Sequence, residues 1–527
     1  MNNRIITQFL QKLNSGDLIG AEALCYEVYQ NNKENLHAIK NLALTLMLQK
    51  KYFEALHFYN EAVKLDSLDF DSNVNLAFLY LHSEDYELAL KYCNQGISIN
   101  PKNAIPHKTL GELYMALREF DLSISSLEKS FELFMENPSK YQKTFSYELK
   151  YRYLECLIIN KREDDALSFI HEHGHDENIN PDILSYQIKA LPKSLNKDLI
   201  NKSEILLEEI KNSSDPTRIK KSAGIYFALA AYFSKSDQKK SEQYYVDGNL
   251  QIDKIQNYRP LESQKYIKNI IKSFDELPSF DHKKNYGEGI IFIIGMPRSG
   301  TTLLESIVSN SPKVFTAGEM ASFKNLIQYD ITTKAKKNVD LIIEYLDHYI
   351  SKINYLKKNK AFLIDKLPFN AFLIGFIEKL LPGAKILLID RDPWDIATSV
   401  FQQIYIDKHY YSTKFFNIAM QIANYNFIRS YWLRVCNAKN ILSIKYEDLV
   451  GNPKSLSDKV YKFLQIDHQI DFEARRGFYS NTASFGQVKD DISNKSVGKS
   501  VFSSHKDQFF KDLENQSKYW ENFYQNH

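Results

Sequence analysis

Cysteine is scarce in this sequence, and long apolar runs are missing. The four cysteines among 527 residues form no C-x-x-C pair and no spacing typical of a metal site. They are Cys25, Cys93, Cys156 and Cys436. We predict buried thiols in a reducing compartment and no bound metal. No segment approaches the apolar length of a membrane span, and residues 1–17 are too polar for a signal peptide, which predicts a cytoplasmic protein without a membrane span.

The chain also lacks a dominant charge. Sixty-seven lysines and arginines face 65 aspartates and glutamates, which leaves a net charge of +2. This balance gives no electrostatic argument for a nucleic-acid or anionic-membrane partner, so any anion site must be local. The length exceeds what one hydrophobic core usually organises, and we therefore expect at least two domains.

An internal repeat of 34 residues runs through the N-terminal part of the chain. Asn41-Leu42-Ala43 aligns with Asn75-Leu76-Ala77 and Thr109-Leu110-Gly111, and Ala21, Ala55, Ala89 and Ser123 coincide further along. This period, with a small residue between larger apolar ones, is typical of tetratricopeptide (TPR) repeats. We predict TPR helices over residues 1–140 and degenerate, TPR-like helices with a linker helix over 141–280, forming a solenoid whose concave face binds a peptide or protein partner.

The pattern changes near Gly287. Short β-branched runs at 290–294, 361–365, 385–390 and 441–446 alternate with segments of helical length. Runs that are apolar on both alternating faces predict parallel strands that are buried on both faces. The sequence therefore predicts an α/β domain over residues 287–527, after the all-helical N-terminal part.

The first of these runs leads directly into a glycine-bearing turn and then a helix. Gly295-Met-Pro-Arg-Ser-Gly300 has the G-x-x-x-x-G spacing of a phosphate-binding loop, but Thr301 stands where a nucleoside triphosphatase carries lysine. A strand, a turn and a helix N-terminus direct backbone N–H groups at an anion. The cation of this loop is Arg298, so the residues indicate a single phosphate-like group.

The segment I-G-M-P-R-S-G-T-T-L-L-E-S-I-V-S-N-S-P-K-V, followed by A-G-E, resembles the 5′-phosphosulfate loop of the sulfotransferases. It is most similar to the TPR-containing bacterial members and the protein-tyrosine sulfotransferases. The resemblance implies a P-loop-type sulfotransferase domain that uses 3′-phosphoadenosine 5′-phosphosulfate (PAPS) and no metal. It implies that the 5′-phosphosulfate is held by Arg298, Ser299, Gly300, Thr301 and Thr302.

Three further segments continue the resemblance. The run D-R-D-P-W-D-I-A-T-S is similar to the family's 3′-phosphate motif, which implies Arg391 and Ser399 as phosphate ligands. The run K-Y-E-D-L-V, with Tyr446, resembles a segment that supports the nucleotide. The run from Thr482 to Lys499 resembles the segment that closes over the adenosine, which implies Lys499 as a further contact, although Ser500-Val501-Phe502 departs from the family's aromatic and basic run.

Sulfonyl transfer to a hydroxyl needs a base for the acceptor proton and a cation for the leaving oxygen. Glu319 is the predicted base, with a helix cap as its alternative role. In the tyrosine sulfotransferases the run is G-E-E and the second glutamate is the base, whereas this chain has Met320 there. The D-K-x-P run implies Lys366 as the cation, with Asp365 as the residue that orients it, and Arg298 is assigned to catalysis as well.

Two other functions remain open at this stage. One is a P-loop kinase, against which Thr301 and the lack of an obvious Walker B pattern count. The other is a TPR adaptor whose α/β domain binds nucleotide without turning it over. For a sulfotransferase the sequence leaves the hydroxyl acceptor undecided between a peptidyl tyrosine, a sugar and a small alcohol.

Overall fold

The computed structural model describes residues 3–173, 179–279, 285–335, 337–405, 409–436, 438–475, 478, 492, 498 and 502–525. The chain divides into two compact units, Met1–Arg162 and Glu163–His527. None of the helices within the described ranges combines the length and the apolar character that a membrane crossing requires.

The first unit is a succession of helices. They are α1 (Asn3–Asn14), α2 (Leu18–Asn31), α3 (Leu36–Leu48), α4 (Tyr52–Leu65), α5 (Phe70–His82), α6 (Tyr86–Ile99), α7 (Ala104–Ala116), α8 (Phe120–Glu136) and α9 (Lys143–Ile159). The repeated small residues Ala21, Ala55, Ala89 and Ser123 are all 0% exposed, which confirms the helical repeat. Their lack of bulk lets neighbouring helices approach closely.

The same period appears in the ends of these helices. Asn35, Asp69 and Asn103 lie 34 residues apart, and each accepts a backbone N–H bond as the N-cap of α3, α5 or α7. Such a cap satisfies one of the amide groups that a helix leaves unpaired at its start. The 34-residue repeat is therefore present in the capping residues as well as in the core.

The second unit begins with helices and continues into the α/β layer. The first helices are α10 (Glu163–His173), α11 (Pro181–Ala190), α12 (Lys197–Ile210), α13 (Pro216–Phe233), α14 (Gln238–Ile255) and α15 (Pro260–Asp275). Side chains of this region bond to the α/β layer: Asn249 Nδ2 donates to Phe401 O at 2.8 Å, and Gln256 Nε2 donates to Tyr405 O at 2.9 Å. These helices and the sheet thus form one packed body.

The sheet has five parallel strands in the order β2-β3-β1-β4-β5. They are β1 (Ile290–Gly295), β2 (Val314–Thr316), β3 (Phe362–Asp365), β4 (Lys385–Asp390) and β5 (Ile441–Lys445). Every residue of β1 is buried, as its unbroken apolar run predicts. Register pairs Phe292 with both Asp365 of β3 and Ile386 of β4, so the carboxyl ends of these strands lie at one edge.

Helices connect the strands and follow the last of them. They are α16 (Thr301–Val308), α17 (Ser322–Asn325), α18 (Val339–Lys357), α19 (Ile374–Leu380), α20 (Pro393–Phe401), α21 (Phe415–Val435), α22 (Tyr446–Gly451), α23 (Pro453–Leu464), α24 (Phe472–Arg475) and α25 (Lys506–Gln525). A π-helix spans Leu326–Ala335. The predicted fold class, a helical solenoid followed by an α/β domain with a parallel sheet, is confirmed.

Candidate functional site

The loop between β1 and α16 has a backbone that only glycine permits at two positions. Gly300 has φ +104°, and a Cβ atom added there would lie 2.4 Å from Tyr446 Cδ2. At Gly295 an added Cβ would lie 2.4 Å from Ile389 O. Arg298 also adopts a left-handed conformation, with φ 72°. The loop therefore turns sharply and packs tightly against β4 and α22.

The loop presents polar groups at the start of α16. Thr301 and Thr302 are each 4% exposed, and Ser299 is 0% exposed. The Ser299 hydroxyl has no hydrogen-bond partner among the described residues. The first backbone N–H groups of a helix have no acceptor within the helix, and the helix dipole is positive at this end. This arrangement can hold an anion, and Ser299 is positioned to donate to it.

Arg298 links the loop to the segment after β4. The Arg298 Nε donates to Ser399 Oγ at 2.8 Å. The backbone oxygen of Arg298 accepts a hydrogen bond from Arg391 Nη1 at 3.2 Å. Burial lowers the pKa of the Arg298 guanidinium, and the nearby charge of Arg391 lowers it further. Two buried cations side by side form a site that favours anions.

Arg391 is held by two further contacts besides its bond to Arg298 O. Its guanidinium lies 4.2 Å from the centre of the Tyr446 ring, and Nη2 is 3.6 Å from Asp395 Oδ2. Asp395 in turn accepts the backbone N–H of Gly498 at 3.1 Å. Tyr446 thus supports both the arginine and Gly300. Lys499, predicted from the sequence to contact the nucleotide, lies outside the described residues.

Lys366 lies at the carboxyl end of β3 and is 0% exposed. Its Nζ is 2.9 Å from Glu319 Oε1 and 3.7 Å from Glu305 Oε2. Its backbone N–H donates to Gly318 O at 2.8 Å, which fixes the segment that carries Glu319. The structure therefore brings together the predicted base and the predicted cation.

Two contacts near this pair differ from those predicted from the sequence. Helix α17 has Ala321 as its N-cap without a side-chain bond, and Glu319 makes an ion pair with Lys366. Asp365, suggested as the group that orients the lysine, accepts a bond from Asn370 Nδ2 at 3.4 Å. Glu305 was not among the site residues predicted from the sequence. Its position one turn after Thr301 on α16 is the signal that could have identified it.

An aromatic cluster lies beside these charges. The ring centres of Tyr405 and His409 are 4.6 Å apart, and His409 stacks on Phe369 at 5.0 Å. Burial raises the pKa of Tyr405 to about 12, and this phenol is within electrostatic reach of both Arg298 and Glu319. Tyr405 therefore connects the aromatic cluster to the predicted base and the loop arginine.

Among the residues that the structure describes, no three His, Cys, Asp or Glu side chains are grouped as metal ligands. The four cysteines are buried and unpaired, as predicted. Burial raises the pKa of the Cys156 thiol to about 11, which keeps it protonated and unreactive at neutral pH.

The fold and the site agree with a defined class of protein. Residues 290–470 match the model of the sulfotransferase family, and residues 70–103 match a tetratricopeptide repeat. The chain thus carries a sulfotransferase-family domain in its second unit and TPR repeats in its first.

Several curated proteins are similar in sequence. An uncharacterized protein of Aquifex aeolicus is 26% identical over 346 residues, which cover 61% of this chain and 44% of that protein. A putative protein-tyrosine sulfotransferase of Caenorhabditis briggsae is 24% identical over 225 residues, covering 40% of this chain and 80% of the relative. Protein-tyrosine sulfotransferase A of Caenorhabditis elegans is 26% identical, and the match spans 52% of its length. The chain therefore spans less than half of the Aquifex protein.

Solved structures are also similar to this chain. The sulfotransferase domain of the Synechococcus PCC 7002 olefin synthase matches with 18% identity and a TM-score of 0.29, covering 46% of this chain and 98% of that domain. A tetratricopeptide repeat protein from Parabacteroides merdae matches with 17% identity and a TM-score of 0.34, covering 51% of this chain and 96% of its own.

Proposed function

We propose that the protein transfers a sulfonate group from PAPS to a hydroxyl acceptor. The observation that carries this proposal is the contact between the phosphate-type loop and the segment after β4, where Arg298 donates to Ser399 and Arg391 donates to Arg298 O. PAPS has two anionic groups, on opposite sides of one ribose. A ligand of this kind needs two adjoining anion sites, and a simple phosphate loop would provide one.

The residues of the loop fit the sulfonated 5′ end. The Ser299 hydroxyl is buried and has no hydrogen-bond partner within the described part of the chain, and Gly300 beside it is tightly packed at the start of α16. The residues proposed to hold the 5′-phosphosulfate are Arg298, Ser299, Gly300, Thr301 and Thr302. Those proposed to hold the 3′-phosphate and its surroundings are Arg391, Ser399, Tyr446 and Lys499. When bound, PAPS supplies the sulfonate and leaves as adenosine 3′,5′-bisphosphate.

Glu319 and Lys366 divide the chemistry of transfer between them. The acceptor oxygen forms a bond to sulfur while the bond from sulfur to the 5′-phosphate oxygen breaks. The acceptor proton passes to the Glu319 carboxylate, which is 41% exposed and therefore accessible. The electron pair of the broken bond stays on the phosphate oxygen, where Lys366 and Arg298 stabilise the negative charge.

The aromatic cluster favours an acceptor that carries a ring. The Phe369, Tyr405 and His409 rings pack on one another at distances typical of aromatic contacts, and Tyr405 is within electrostatic reach of Glu319. Tyr411 is 4% exposed, and its hydroxyl has no hydrogen-bond partner among the described residues. Two relatives bear the name protein-tyrosine sulfotransferase. We therefore propose a phenolic hydroxyl, as in peptidyl tyrosine, ahead of a sugar or a small alcohol, with the TPR repeats positioning the acceptor protein.

Calorimetric titration with adenosine 3′,5′-bisphosphate, with and without Mg²⁺, tests the nucleotide site. We expect binding that does not depend on the metal, whereas a P-loop kinase would require Mg²⁺ and prefer a nucleoside triphosphate. Turnover of ³⁵S-labelled PAPS with tyrosyl-peptide, glycan and small-alcohol acceptors tests the reaction. The Lys366→Met variant is the control, because it removes the ammonium but keeps the apolar stem. Binding without transfer to any acceptor would identify a nucleotide-binding adaptor.

A further inference from the structure

The ammonium of Lys366 is paired with two carboxylates that differ in accessibility. Glu319 is 41% exposed, whereas Glu305 is 1% exposed and lies on α16, directly after the loop. The Glu305 carboxylate also accepts a hydrogen bond from the Thr316 hydroxyl at the end of β2. An acceptor can therefore reach Glu319 but not Glu305, so only one of the two carboxylates is available as a base.

The charge of this group changes during the proposed reaction. Two carboxylates and one ammonium sum to one negative charge, and protonation of Glu319 by the acceptor makes the sum zero. If Glu319 were the sole counter-ion, its protonation would leave a fully buried ammonium unpaired, which is costly. Glu305 does not take up the acceptor proton, because its burial and its bond to Thr316 hold it away from the acceptor.

We propose that Glu305, held in place by Thr316, is a positioning residue for Lys366. It keeps Lys366 charged and fixed at the carboxyl end of β3 while Glu319 accepts the proton. The expected effect on kcat rests on the proposed function. The ion pair between Glu305 and Lys366 is present in the chain without any substrate. The residues that carry it are on three different elements, α16, β2 and the end of β3.

The test compares variants that remove the charge or its support. Glu305→Gln keeps the shape and an oxygen that can accept from Thr316, but it removes the charge. We expect kcat to fall by about 10- to 100-fold, while KM for PAPS and the Kd for adenosine 3′,5′-bisphosphate change by less than about threefold. Thr316→Val should lower kcat in the same way but less, and Thr316→Ser, which restores the hydroxyl, should return it to within about twofold of the original.

A second measurement does not depend on turnover. An amine-acylating reagent reacts only with neutral lysine, so mass spectrometry of labelled protein reports how firmly Lys366 is held as an ammonium. We expect faster labelling of Lys366 in Glu305→Gln, relative to the exposed Lys235, and no change in Glu155→Gln. Glu155 is the matched control because it is 3% exposed and bonds to Arg152 at 2.8 Å.

The two measurements separate the possible failures. An unchanged kcat and unchanged labelling in Glu305→Gln would overturn the inference, and so would a parallel loss of kcat and bisphosphate affinity, which indicates general damage to the site. If the original protein transfers sulfonate to no acceptor, the proposed function fails. In that case the labelling rate of Lys366 decides the role of Glu305 by itself.

Discussion

We propose Arg391 as the residue that distinguishes a PAPS site from a site for a 5′-phosphate alone. Its guanidinium is fixed by the Tyr446 ring at 4.2 Å and by Asp395 at 3.6 Å, so it is oriented before any ligand arrives. A planar guanidinium can bond a phosphate through two nitrogens and stack on an aromatic ring, and lysine can do neither as well. A change to lysine keeps the charge but loses this geometry.

We therefore expect Arg391→Lys and Arg391→Ala to weaken binding of adenosine 3′,5′-bisphosphate by about 10-fold and 100-fold, respectively. Binding of adenosine 5′-monophosphate, which has no 3′-phosphate, should change by less than about threefold in both variants. Calorimetric titration of the two nucleotides measures the difference. An equal loss for both nucleotides would show that Arg391 does not read the 3′-phosphate.

Gly300 is a second residue whose role depends on its surroundings. Its φ of +104° costs an L-residue about 1–3 kcal/mol, and a Cβ atom would also collide with the Tyr446 ring. We expect Gly300→Ala to lower the melting temperature and to weaken bisphosphate binding by at least about 10-fold. The control is Gly451→Ala, because nothing lies within 4 Å of a Cβ atom there. Equal behaviour of the two variants in thermal unfolding would contradict the prediction.

At the scale of elements, the sequence predicted strand positions well. All four β-branched runs form strands, with ends that differ by at most one residue from the prediction. Apolar runs of this kind have few alternatives once they are separated by helical segments. The strand order was not predicted, because it depends on pairings between distant segments.

In the TPR region the helices were predicted from the sequence, but the conformation of the turns between them was not. Gly16, Lys50, Glu84 and Arg118 follow one another at 34 residues, and all have positive φ in the turn between paired helices. Only the first is glycine, so residue type gave no signal at the other three turns. The left-handed conformation there is imposed by the packing of the two helices, at a cost that the packed helices offset.

Close packing of α7 on α8 gives an element-scale prediction. A Cβ atom at Gly111 would lie 2.6 Å from Leu127 Cγ, and Ser123 Oγ donates to Gly111 O at 2.8 Å. We expect Gly111→Val to destabilise the first unit by about 1–3 kcal/mol through overpacking. Ser125→Val, at an exposed position of α8, should change stability by less than about 0.5 kcal/mol. Urea unfolding followed by circular dichroism measures both, and similar midpoints would refute the packing argument.

At the scale of the whole molecule, the division into two units predicts two unfolding transitions. Each unit has its own core, and the proposed nucleotide site lies wholly in Glu163–His527. Adenosine 3′,5′-bisphosphate at about 100 times its Kd should stabilise the unit that binds it by about 2.7 kcal/mol. In differential scanning calorimetry we expect one transition to rise by a few degrees and the other to stay.

The Gly111→Val variant provides the complementary control in the same experiment. It should lower the transition that the nucleotide leaves unchanged, and the nucleotide should still raise the other one. A single transition that responds to both changes would mean that the two units unfold together.

The sequence by itself determined the repeat, the strands, the phosphate-type loop and most of the predicted site residues, because each depends on neighbours within a few tens of residues. Tertiary structure alone decided which of those residues meet. In the folded chain Arg298 donates a hydrogen bond to Ser399, which lies 101 residues later in the sequence. Lys366 lies between the carboxylates of Glu305 and Glu319. Such contacts arise from the parallel order of the strands, which brings separate carboxyl ends to one edge of the sheet.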